Sequence, residues 1–79
     1  MKQSHKDFYT EELKNYKTSS SKKSFLTRCR KECQEYLKDI NWALTHDRPM
    51  LYGEPMHYGH AMEQEREIEF INKLYSEIK

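Results

Sequence analysis

Apolar side chains recur along most of this chain with the period of an α-helix. Leu26, Cys29, Cys33, Tyr36, Ile40 and Ala43 step by three and four residues. On a helix of 3.6 residues per turn such positions share one face. Phe25, Leu37 and Leu44 widen the stripe. The pattern predicts a helix over about residues 22–46, a rod of roughly 37 Å at 1.5 Å per residue. Ala61, Gln64, Ile68, Ile71, Tyr75 and Ile78 repeat the same steps, with Phe70 and Leu74 beside them. They predict a second long helix over about 58–78, with an earlier start if Pro55 takes the first helical position. A shorter stripe of Phe8, Tyr9, Leu13 and Tyr16 predicts a first helix over about 6–17. Ser4 and Asp7 have capping-box spacing at its start.

Two breaks separate these segments. Thr18 to Ser21 are four hydroxyl residues, which compete with helical hydrogen bonding and favour a turn followed by a cap. Ser20 or Ser21 is then the expected N-cap of the second helix. Asp47-Arg48-Pro49 ends that helix, because the residue before a proline is pushed out of the α region. Tyr52-Gly53-Glu54-Pro55 is a further turn signal. The two stripes match in period and length. They predict an all-α fold, an antiparallel two-helix hairpin with a short N-terminal helix, forming one small domain over 1–79.

Composition narrows the class. The chain is 34% charged and 35% hydrophobic, with mean hydropathy −1.15. Two Gly and two Pro are too few turn residues for a small β-sandwich. No apolar run is long enough for a membrane span, and Met1 to Thr10 carry no apolar signal core. A cytoplasmic, reducing setting is expected, since two cysteines do not make a disulfide scaffold. A chain this short buries only about 60% of its unfolded surface. Completion of a helical bundle by oligomerisation, with a dimer first, is therefore expected.

Charge adds an asymmetry. Residues 1–34 hold nine Lys and Arg against four acids, a net +5, and residues 35–79 hold five against nine, a net −4. The two halves should attract when folded together, with Glu63, Glu65, Glu67 and Glu69 available to the basic second helix.

Three sets of residues carry candidate chemistry. The loop and its flanks hold Trp42, Met50, Leu51, Tyr52, Met56 and Tyr58, types enriched at protein-interface hot spots. The bland reading is that they close the end of the hairpin core. Lys22, Lys23, Arg28, Arg30 and Lys31 form a basic stretch suited to nucleic acid, with Lys23, Arg30 and Lys31 opposite the apolar stripe. Glu32 and Glu35 interrupt it in sequence, and a solvated face is the bland reading. Cys29, Cys33, His57 and His60 are thiolate and imidazole donors that suit zinc. Their spacing fits small core cysteines and helix-end histidines better. His46, Asp47, His57 and His60, with Tyr52, could line a small-ligand site at the loop.

No nucleophile stands beside these histidines, and no glycine-rich phosphate loop is present. No enzyme activity and no cofactor are expected. The function expected is a small non-enzymatic interaction protein, a regulator, adaptor or inhibitor of the kind that phages and mobile elements make. It would bind a protein partner through the loop-end patch or a helix face. Nucleic-acid binding by the basic half, and a small-ligand or metal-binding oligomer, are the alternatives.

Overall fold

The fold is that of a computed structural model, which describes residues 1–46, 50–51 and 54–79. Its elements are α1 (Gln3–Leu13), α2 (Ser19–Thr45), β1 (Met50–Leu51), β2 (Glu54–Pro55) and α3 (Tyr58–Glu77). Among the described residues, the regular structure outside the helices is a two-rung antiparallel ladder, Met50 opposite Pro55 and Leu51 opposite Glu54. The apolar period gives no sign of this ladder, because two residues per strand are too short to alternate visibly. Pro55 sits at the end of its strand, where its missing N–H is tolerated. It does not open α3, as the sequence allowed.

The two long helices lie where the stripes place them. Arg30 bonds Asn72, Ser19 bonds the Lys79 main chain, and Ile40 clusters with Ala61. These pairs set the start of α2 beside the end of α3, so the hairpin is antiparallel. The molecule measures 45 × 21 × 19 Å.

The helix starts differ from the sequence reading. α1 begins at Gln3 with Lys2 as an N-cap that offers no side-chain bond. The Ser4–Asp7 capping box therefore does not form. Ser4 lies inside the first turn, and Asp7 accepts instead from the Gln3 amide at 2.9 Å. α1 also stops at Leu13, well before residue 17. The amides of Lys14, Asn15 and Tyr16 turn back to the carbonyls three residues earlier, and the Tyr16 ring stacks on Phe25 at 5.1 Å. A tertiary aromatic contact thus replaces the last predicted helical turn. The N-cap of α2 is Thr18 rather than Ser20 or Ser21. The Ser21 amide donates to Thr18 Oγ1 at 3.1 Å, and the Thr18 amide to Ser21 Oγ at 3.3 Å. This is a reciprocal capping box in which serine fills the usual glutamate position.

The core divides in two. Tyr9, Phe25, Leu26, Cys33 and Ile71 form one cluster, and Ile40, Met56 and Ala61 form the other. Leu26, Ile40 and Ile71 are completely buried. α1 contributes one buried side chain, Tyr9, which packs by its ring against Phe25 and Phe70. α1 therefore covers one face of the hairpin at the Tyr9 cluster. The Ile40 cluster takes no residue from α1.

Candidate functional site

α2 sorts its charges around its axis. Phe25 and Arg28 mark the flank toward α1, since Phe25 packs on Tyr9 and an Arg28 Nη donates to the Tyr16 hydroxyl at 3.4 Å. Glu32 follows Phe25 by seven residues and Glu35 follows Arg28 by seven, two turns further along that flank. Asp39 follows Glu35 by four and continues the same line. Glu32 and Asp39 thus run on the α1 side, and Glu35, four residues after Lys31 and three before Lys38, stands at the border of the outer surface. The opposite flank carries Lys23 and Arg30, also seven apart, which both lie over the Tyr75 ring at 5.4 and 5.5 Å. Arg30 donates to Asn72 Oδ1 at 2.9 Å. Lys31 and Lys38, again seven apart, are exposed on the adjoining outer surface. Of the glutamates that interrupt the basic stretch in sequence, Glu32 turns away from it, while Glu35 stays beside Lys31 and Lys38.

Trp42 closes this surface. It follows Lys38 by four residues and lies about 200° around the helix from the buried Ile40. Its side chain is 49% exposed. The His46 ring stacks on it at 4.5 Å with 15° between planes, and His46 Nδ1 lies 2.9 Å from the Trp42 carbonyl oxygen. From Lys23 to Trp42 the surface runs about 28 Å at 1.5 Å per residue. At the other end, the hydroxyls of Ser20, Ser24 and Thr27 line an open depression with Lys23 and Arg28. The first turn of α2 holds no acid, so the positive end of the helix dipole adds to these cations.

These charges are not paired across the hairpin. Among the described residues, the side-chain ion pairs are Lys14–Glu11 at 3.1 Å and Arg66–Glu63 at 3.8 Å, each between residues three apart in the chain. The expected links between the acids of α3 and the basic helix are absent from that set. Lys23, Arg28 and Arg30 take neutral partners instead: Tyr75, Tyr16 and Asn72.

The sequence candidates separate as follows. Of Lys23, Arg30 and Lys31, Lys31 stands opposite the apolar stripe as expected, while Lys23 and Arg30 are half-buried on the flank toward α3, over Tyr75. Lys22 falls in line with the core stripe and is partly buried, and Arg28 faces Lys23 across the depression that both line. Lys38 belongs to the face and was missed, although its seven-residue spacing from Lys31 signals it. The loop-end set does not gather into one surface among the described residues. Met56 is buried in the Ile40 cluster. Trp42 faces outward from α2. Tyr58 is 72% exposed and lies about 140° around α3 from Ile71, so it faces outward from the other helix. Tyr52, Asp47 and the side chains of Met50 and Leu51 lie outside the described residues.

The zinc candidates are also apart. Cys33 is in the core cluster with Tyr9, and Cys29 packs against it. Burial raises both thiols above their ordinary range, Cys33 to about 11 with Glu67 nearby as a further cause. Thiols held protonated are poor ligands. His57 and His60 are at the start of α3, next to the other cluster. His57 is the N-cap: its Nδ1 accepts from the Gly59 amide at 3.1 Å, and its own amide donates to His60 Nδ1 at 3.3 Å. Among the described residues, no three His, Cys, Asp or Glu side chains are grouped to hold a metal. No described helix is long and apolar enough to cross a membrane.

A hydrogen bond that sequence reasoning did not foresee joins α1 to α3. The Tyr9 hydroxyl donates to Glu67 Oε1 at 2.7 Å. Burial first, and then Glu67, push this phenol well above its ordinary range.

No protein-family model, curated protein or solved structure matches this chain.

Proposed function

We propose that this protein is a non-enzymatic binding module whose working surface is the outer face of α2, and that its partner is a polyanion. One observation carries the reading: Lys23, Arg30, Lys31 and Lys38 lie within about 100° of arc on α2, from the Tyr75 flank to the outer surface, with Glu35 as the acid at its border. A surface with a local excess of four cations over one acid attracts anionic polymers even when net charge is only +1, because contacts within about a Debye length dominate. The side chains with catalytic potential have other work. His46 and His57 serve helix ends, and Cys29 and Cys33 are thiols packed in the core.

The test is positional. K31E/K38E and K2E/K17E change net charge equally, but only the first pair alters the face. On an immobilised polyanion such as heparin, K31E/K38E is expected to elute at clearly lower salt than wild type, and K2E/K17E near wild type. Equal losses would mean that total charge, not this face, governs binding.

A protein partner is the second reading. It is favoured by Tyr58 and Met62, 72% and 51% exposed four residues apart on α3. Y58A/M62A is expected to leave polyanion retention unchanged. Self-association belongs here too: the Ile40 half of the hairpin lacks cover from α1, and a second copy packed there would complete a four-helix bundle. Light scattering across a concentration series reads its mass directly.

A further inference from the structure

The two long edges of the hairpin, where α2 and α3 turn away from each other, carry opposite patterns of charge. On α2, Lys31 and Lys38 are exposed about 160–180° around the helix from the buried Ile40, with Glu35 exposed at about 220°. On α3, Glu69 and Arg66 are exposed at about 160° and 220° from the buried Ile71, with Glu65 exposed at about 120°. Arg66 reaches Glu63 of its own helix. The other five form no ion pair among the described residues.

The edges match in the register that the hairpin itself uses. Within one chain, Arg30 is level with Asn72, and Ile40 with Ala61. Let α3 of a second copy lie along the outer edge of α2 in that same antiparallel register. Lys31 then comes level with Glu69 of the second copy, and Glu35 with its Arg66. Lys38 falls between its Met62 and Glu65. The sides agree as well. Glu35 and Arg66 both lean toward the side that α1 covers, marked by Phe25 and Phe70 on Tyr9. Lys38 and Glu65 both lean toward the other side, marked by Arg30 and Asn72. One encounter opposes the contact: Lys73 of the second copy comes level with Arg28. Glu77, one turn further on the same side, offsets it. At the far end, the exposed Tyr58 and Met62 add apolar area level with the last turns of α2.

We infer that the outer edge of α2 docks the outer edge of α3 of a second copy, so that copies add side by side. The contact joins two different patches and leaves one of each open. Assembly therefore continues past two copies until a ring closes. Matched charges at such an edge set register and partner choice, and salt screens them. The inference does not rest on the polyanion reading.

Sedimentation velocity over a concentration series at low salt is expected to show mass rising past two copies, and about 0.5 M salt to suppress the rise. K31E/K38E and E65K/E69K each place like charges together and should weaken association about tenfold. K2E/K17E, with the same net charge as K31E/K38E, should associate like wild type. K31E/K38E/E65K/E69K swaps both edges at the wild-type net charge of +1 and should recover association. All these sites are exposed, so circular dichroism of every variant should match wild type.

Mass that stops at two copies, association indifferent to the edge charges, no recovery in the fourfold variant, or a monomer at every concentration overturns the inference. E65K/E69K should lose association and keep its retention on heparin. Wild type that associates as described but is not retained on heparin overturns the polyanion reading and leaves this inference standing.

Discussion

Tyr9 does more for this fold than any other residue of its helix. It is 3% exposed, and its hydroxyl meets Glu67 at 2.7 Å. Cys33 packs in the same cluster. Both are acids whose pKa is raised on folding, first by burial. Stability from such groups is complete below the unfolded pKa and declines as pH rises above it, because the unfolded chain loses its proton first. The Cys33 window lies between 9.0 and about 11, and Tyr9 adds a further decline from 10.0 upward. Urea midpoints of the wild type are therefore expected to fall steadily above pH 9. C33A should flatten the fall between pH 9 and 11, and Y9F should remove part of the fall above pH 10. At neutral pH, Y9F should cost about 1 kcal/mol for the lost hydrogen bond. The buried ring at position 9 is legible in the sequence as part of an apolar stripe. Its bond to Glu67, 58 residues away, is not, because period locates faces and not the partners across them.

Helix bodies here follow the sequence closely, and helix ends do not. Leu26, Cys33, Ile40, Ala43 and Ile71 are buried as their spacing requires. Caps depend on one or two hydrogen bonds among several adjacent candidates, so Thr18 could displace Ser20 and Ser21 at little cost. At α3 the cap is an imidazole, a role sequence reading gives to Ser, Thr, Asp or Asn. A Cβ on Gly59 would come within 2.7 Å of the His57 ring, so this cap needs glycine two residues on. H57A is expected to cost about 1 kcal/mol in chemical denaturation, and H57N to keep most of the stability. In a G59A background the ring is already displaced, so H57A should then cost little; additive losses would contradict this account of the cap. α1 is 11 residues long, shorter than an isolated helix needs. Y9A is therefore expected to strip amide protection from α1 while α2 and α3 keep theirs in hydrogen exchange.

At the scale of the molecule, the split core sets where it is weak. The Tyr9 cluster has three helices around it, and the Ile40 cluster has two helices and the loop. Fewer buried neighbours mean easier local opening. Amides around Ile40, Ala43 and Ala61 are expected to exchange faster than those around Leu26 and Ile71, and a second copy bound over the Ile40 half would reverse that order. The hairpin, its direction and its two faces were legible from two matched apolar stripes. The arrangement of charge was not read from the sequence, because Glu32 is a neighbour of Arg30 and Lys31 along the chain and separates from them only when wound at about 100° per residue, which leaves Glu35 beside Lys31. The candidate site is made by that winding. The most direct test is a map of backbone amide and Trp42 indole shifts in the ¹⁵N spectrum as a short heparin fragment is added. The largest changes should follow Lys23, Thr27, Lys31, Lys38 and the Trp42 indole. Changes centred on Glu32 and Asp39 or on the outer face of α3, or no changes at all, would contradict the account.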